Sequence, residues 1–145
     1  MMDAIEISRS GLDVEWKRME IIALNLANVN TSISADGKSY VPLRLVSGPA
    51  ESFEQVLSEA GRSVGTQPLG VRVYDIEPTG AGTRRVFEPG HPQADAEGFV
   101  TYPNISHADE MTLMVKTSRA YEANLVAMAA AQQMYSSALQ IGARQ

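Results

Sequence analysis

The sequence predicts an α+β fold: long N- and C-terminal helices packed as an antiparallel coiled-coil pair, with a small β-rich middle domain. Three observations carry this. All seven prolines and nine of the eleven glycines fall between residues 36 and 108, so both ends are free to form long helices. Both ends carry apolar residues at alternating spacings of three and four. The middle carries short alternating or β-branched runs set off by turn residues. The expected division is a terminal-helix domain, residues 1–35 with 109–145, and a β-rich domain, residues 36–108.

The first helix is expected from about Asp3 to Asn28. Leu12, Trp16, Met19, Ala23 and Leu26 alternate four and three, and Ile5 lies one heptad before Leu12. The run Asn28-Val29-Asn30-Thr31-Ser32 supplies the stop, since asparagine tolerates the left-handed cap conformation. In the middle, strands are expected over Ser39–Val46, Val71–Ile76, Arg84–Phe87 and Phe99–Tyr102. Asp36-Gly37, Gly48-Pro49, Pro78-Thr79-Gly80 and Glu88-Pro89-Gly90 read as turns. Ser52–Ala60 reads as a short helix, and Gly61–Pro68 as a linker.

The closing helix has the clearest pattern. Met111, Met114, Ser118, Tyr121, Leu125, Met128, Gln132, Tyr135 and Leu139 form a sustained heptad seam. Ser106 or Asp109 can cap it, with Asp109 and Glu110 in the first turn where the helix dipole favours acids. No charge occurs from Ala123 to Ala143, roughly 30 Å of helix. One partner helix covers about a third of that circumference. The remainder predicts packing against copies of the same chain. The candidate subunit-interface residues are Leu12, Trp16, Met19 and Leu26 on the first helix. On the last they are Met111, Met114, Tyr121, Leu125, Met128, Tyr135 and Leu139.

Composition excludes several function classes. Of 145 residues, 44% are hydrophobic and 20% charged, which argues against a wholly disordered chain. A formal charge of −5 gives no basic footprint for nucleic acid. The absence of cysteine excludes disulfides, thiolate metal sites and cysteine nucleophiles. The acidic start predicts no cleaved secretory leader, and the uncharged stretch near the end, rich in amides and hydroxyls, is not expected to span a membrane.

Little in the sequence suggests catalysis. His91, Asp95 and His107 are the only candidates for a small metal-dependent hydrolase, and their spacing matches no zinc-hydrolase pattern. Turn and helix-cap roles explain them better. No phosphate loop, dinucleotide fingerprint or nucleophile elbow occurs. The expectation is a non-enzyme with no metal and no cofactor.

Asn25-Leu26-Ala27-Asn28-Val29-Asn30-Thr31 resembles the asparagine-rich signature of the bacterial flagellar rod and hook axial proteins. Phe87-Glu88-Pro89-Gly90-His91-Pro92, continuing to Val100, resembles the turn-and-strand block of that family's proximal-rod members. Tyr102-Pro103-Asn104-Ile105, Glu110-Met111 and Arg119-Ala120-Tyr121-Glu122-Ala123-Asn124 extend the match. It covers residues 5–35 and 84–142; the departures lie in 44–83. The motif residues are Asn25, Asn28, Pro89, Gly90, His91, Pro92, Arg119, Tyr121 and Asn124.

The resemblance implies a structural subunit of the flagellar basal-body rod. It implies export, without a cleaved signal peptide, through the flagellar export apparatus into a periplasmic drive shaft that passes torque to the hook. The implied partners are copies of itself and the rod proteins FlgB, FlgF, FlgG and FliE. A FlgB- or FlgF-like subunit, the small hydrolase and a periplasmic adaptor are the competing readings.

Overall fold

A computed structural model of the chain describes residues 2–32, 39–50 and 70–142. Its elements are helix α1 (Met2–Ala27), strands β1 (Leu43–Pro49), β2 (Val71–Pro78), β3 (Thr83–Phe87) and β4 (Phe99–Pro103), and helix α2 (His107–Gly142). The chain is therefore α+β, helical at both ends with small sheets between. The expected helix over Ser52–Ala60 and linker over Gly61–Pro68 lie outside the described residues.

The end of α1 differs from expectation in its mechanism. No described residue other than glycine has a positive φ, so no asparagine takes the left-handed cap conformation. Instead the Asn28 side-chain amide donates to Leu24 O at 2.8 Å, and the Thr31 N–H bonds Asn28 O at 3.1 Å. Those bonds satisfy carbonyls that the helix end would orphan. At α2, Ser106 is the cap: its Oγ accepts from the Asp109 N–H at 3.3 Å, placing Asp109 and Glu110 in the first turn.

β1 and β2 form one two-stranded sheet, β3 and β4 another. β3 and β4 are antiparallel, with Thr83 opposite Pro103 and Phe87 opposite Phe99. The two phenyl rings meet edge to face at 5.2 Å, the favoured aromatic geometry. Asn104 closes the far end, its N–H bonding Gly82 O and its side-chain amide Ala81 O, both at 3.1 Å. Gly48-Pro49 proves to be strand and not turn. β1 runs through it because Gly48 lies under the Tyr74 ring, where a Cβ would come within 2.5 Å of the ring edge.

The chain divides into two compact units: Met1–Lys17 with Val46–Asp75 and Ser118–Gln145, and Arg18–Leu45 with Ile76–Thr117. Both helices run through both units. In the first, Gly11 abuts Asn124, and the rings of Trp16 and Tyr121 lie 6.3 Å apart at 49°. The partner number falls as the first number rises, so the helices run antiparallel there. The core of this unit includes Leu12, Val14 and Ala131. In the second unit, Ile21, Ile22, Val29, Val100, Tyr102 and Ile105 are buried, with Asn25 and Thr117 among them.

The Gly11 contact yields a test. A Cβ at Gly11 would sit 2.8–2.9 Å from the Asn124 amide group, whose nitrogen also donates to Ala120 O at 3.0 Å. Gly11→Ala gains about 1 kcal/mol of helix propensity and loses about 1–3 kcal/mol to overpacking. The substitution should therefore be neutral to destabilising alone. In an Asn124→Ala background, where the space is open, it should stabilise by about 1 kcal/mol. Urea unfolding of the four chains measures this sign reversal.

Candidate assembly interface

The inward line of α2 is not the line of its most apolar residues. Its buried and half-buried positions include Glu110, Met114, Thr117, Tyr121, Asn124, Met128 and Ala131, which alternate four and three. Met114, Tyr121 and Met128 belong to the expected seam. Ser118 is half-buried beside the buried Thr117, and at three other seam positions the N-terminal neighbour is the more buried: Glu110 before Met111, Asn124 before Leu125 and Ala131 before Gln132. Met111 is 46% exposed and Leu125 39%, so neither belongs to a core private to this chain. Tyr135 and Leu139 are exposed too, as is every residue from Gln132 to Gly142.

On α1 the buried face is broader: Ser8, Gly11, Leu12, Val14, Ile21, Ile22 and Asn25 are all buried. Of the four interface candidates on α1, Leu12 is buried and Met19 and Leu26 are half-buried. Trp16 is 57% exposed. On α2, threonine, asparagine and alanine share the inward line with Met114, Tyr121 and Met128, while Met111 and Leu125 stand beside that line and face out.

Asn25 is the most heavily bonded of the motif residues. It is 1% exposed. Its Oδ1 accepts from the Leu43 N–H at 3.0 Å and the Tyr40 hydroxyl at 2.9 Å. Its amide nitrogen donates to Leu43 O at 2.8 Å and Glu110 Oε1 at 3.2 Å. All four bonding positions of the side chain are used. One amide thus joins α1, the start of β1 and the first turn of α2.

The second motif block forms a closed loop between β3 and β4. The Glu88 N–H bonds Gly98 O and the Asp95 N–H bonds Phe99 O, both at 2.9 Å. Asp95 Oδ1 accepts from the N–H groups of Glu97 and Phe99 at 3.0 and 2.9 Å, and Oδ2 from Arg85. Gly98, at φ +84°, makes the return into β4; a Cβ there would lie 3.0 Å from the Phe87 ring. Pro89, Gly90 and Pro92 are exposed at the tip, and His91 is half-buried with Nδ1 accepting from the Gln93 N–H at 3.2 Å. Arg119 is exposed on α2.

This loop accounts for the hydrolase candidates. Both oxygens of Asp95 are engaged within the loop, and His107 opens α2. Among the described residues no group of three or more His, Asp or Glu side chains could hold a metal ion.

Comparison with known proteins decides the family. The chain is 35% identical to the flagellar basal-body rod protein FlgC of Bacillus subtilis, over 96% of each chain. It is 30% identical to FlgC of Escherichia coli O6:H1, over 98% of each, and 31% identical to FlgC of Borreliella burgdorferi, over 97% of each. The chain belongs to the FlgC family. A family model described as flagellar basal body rod FlgEFG protein C-terminal also matches residues 96–141. The protein is a structural subunit of the bacterial flagellar basal-body rod. That membership disfavours the small hydrolase, the periplasmic adaptor and a FlgB- or FlgF-like subunit.

Within this FlgC-family chain, the sequence motif points to Asn25 but not to what Asn25 binds. Glu110 stands in a motif without a visible role, and Gly11 stands in none. The available signal for Gly11 is its position: it is the one glycine inside a long pattern otherwise free of helix breakers.

The Asp95 loop gives a pH prediction. The Phe99 N–H chiefly holds the Asp95 carboxyl below its ordinary value, with Arg85 and the Glu97 N–H adding and desolvation opposing. A carboxyl displaced downward contributes stability above the ordinary aspartate range, and loses it as pH falls through the lowered value. Loop order should therefore persist through the ordinary range and fail only in stronger acid. Asp95→Ala should loosen it at every pH. Amide exchange at Glu97 and Phe99 reads both.

Proposed function

We propose that the chain polymerises through the outward apolar lines of α1 and α2 into the periplasmic drive shaft that carries motor torque to the hook. The carrying observation is the outer surface of α2. Met111, Leu125, Val126, Met134, Tyr135, Leu139 and Ile141 are all at least 39% exposed, and no charge occurs between Ala123 and Ala143. An apolar line of that length, facing out and without charges, suits a helix that is covered on assembly.

The proposed contacts use Trp16, Met111, Leu125, Tyr135 and Leu139 outside, with Leu12, Met19, Leu26, Met114, Tyr121 and Met128 at the junction of inner and outer lines. The antiparallel contacts in the first unit support a coiled-coil pairing of α1 with α2. The segments 1–35 and 109–145 then act as the assembling part, and 36–108 as the part carried outside it. Partners in this reading are copies of itself and FlgB, FlgF, FlgG and FliE, after passage through the flagellar export apparatus. Among the described residues no helix is long and apolar enough to cross a membrane. No catalysis and no cofactor are proposed.

Leu125→Asp tests the reading directly. Leu125 is already 39% exposed, so the carboxylate is tolerated in the isolated subunit, within about 0.5 kcal/mol. In an assembled contact the same carboxylate is buried without a partner, at several kcal/mol per contact. The expected outcome is a normal periplasmic subunit level with loss of swimming. Normal swimming would remove this line from the assembly.

The metal reading has its own test. Calorimetry with zinc should show no stoichiometric binding, and a His91→Ala, His107→Ala strain should swim. Tight binding with lost motility would restore a metal role.

A further inference from the structure

Glu110 presents an unmet bond inside an otherwise saturated joint. Its Oε1 accepts from Asn25, and its Oε2 is sealed from solvent with no hydrogen-bond partner. A buried carboxylate oxygen without a donor is costly, while a neutral carboxyl loses far less. Beside it lies a cavity of about 330 Å³, walled by Ile21, Ile22, Leu43, Leu45 and Leu113, with Asn25, Thr79 and Glu110 also on its lining. That space has room for several waters at about 30 Å³ each. A carboxylate can therefore find solvent by turning a side-chain torsion into the cavity.

The charged and titratable surroundings come from each neighbouring element. Arg18 lines the cavity from α1 and Arg44 from β1. Arg44 pairs with Glu77 of β2 at 3.2 Å. Tyr40, before β1, bonds Asn25. Asp109 precedes Glu110 on α2 and repels its charge. Burial is the largest influence, raising the Glu110 carboxyl above its ordinary value; the Asn25 bond opposes it and Asp109 adds to it.

We propose that Glu110 is a proton-linked latch on the joint of α1, β1 and α2. As the neutral acid it stays folded against Asn25. When ionised it turns into the cavity to reach water, leaves one Asn25 amide hydrogen without an acceptor, and loosens the hold of Asn25 on Leu43. The proton goes to solvent, and no other group changes state. This goes beyond the rod reading and does not rest on it, since every atom involved belongs to one compact unit of one chain.

The direction follows from linkage. A carboxyl raised in the folded state contributes stability that is full below its unfolded value and lost as pH rises through the folded value. Closing is therefore favoured in mild acid and weakened toward neutrality.

The test uses the purified full chain, with two measurements. Carboxyl-¹³C glutamate labelling follows the Glu110 titration, and amide exchange at Leu43, corrected for its intrinsic rate, follows the joint. The expected result is a Glu110 titration above the ordinary glutamate range, with Leu43 exchange rising in step. One unit of displacement between open and closed forms reads as about a tenfold change in opening. Glu110→Gln, which keeps an acceptor and cannot ionise, should remove that pH dependence. If Glu110→Gln fails to fold, the wild-type titration and its coincidence with Leu43 exchange decide alone. An ordinary or lowered Glu110 titration, Leu43 exchange indifferent to pH, an unprotected Leu43 amide at every pH, or unchanged pH dependence in Glu110→Gln would each overturn the latch.

Discussion

Three segments far apart in sequence meet on the side chain of Asn25. Strand β1 begins where Leu43 gives both its N–H and its C=O to that amide, as it would to a neighbouring strand. Tyr40 is held by it just upstream, and α2 enters the same joint through Glu110. Each of these bonds is worth only about 1 kcal/mol net, but leaving their partners buried and unpaired costs about 1–3 kcal/mol apiece. An aspartate could not replace Asn25, because it offers no donor to Leu43 O or Glu110. A leucine would fill the space and orphan the strand end. The residue type is fixed by four simultaneous bonds.

The same economy governs the helices. Gly11 meets Asn124 at a distance no larger pair would permit, and Thr117 and Ala131 are buried with 3% exposure each. On α2, small and polar side chains on the inward line leave Met111 and Leu125 on the outer surface. Burying those two within the chain would require rotating α2 by one residue position, about 100°. At the start of α2 that rotation would withdraw Glu110 from its bond to Asn25.

This explains what the sequence made legible and what it did not. Proline and glycine placement located the helices, and β3 and β4 fell within one residue of the expected runs because alternation and turn chemistry act locally. Periodicity could not separate the line that packs within the chain from the apolar line beside it, because it counts apolar residues. A stripe of Leu and Met signals a buried contact without saying with whom. In α2 the stripe through Met111 and Leu125 lies beside the inward line, while Thr117 and Asn124 occupy it. Asparagine is the least informative residue for such counting, since its role depends on acceptors and donors 18 and 85 positions away. The Pro89–Pro92 block was readable as a turn but not as a closed loop, because Arg85 and Asp95 become partners only when β3 and β4 are in register.

An outer surface richer in large apolar residues than the inner one changes what stability means for this chain. The contacts inside each unit are hydrogen-bonded and closely approached, but much of the area that could drive burial remains outside. From Gln132 onward α2 has no buried residue among those described. In the proposed rod, that area is removed from water only by neighbours, at about 25 cal/mol per Å². Order in the last turns of α2 then becomes a function of subunit concentration. In the proposed rod, the chain is loosely committed while alone and becomes rigid once covered. The proposed route, threading to its place and then carrying torque, needs that sequence of states. The large apolar residues left on the outer surface of α2 suit it.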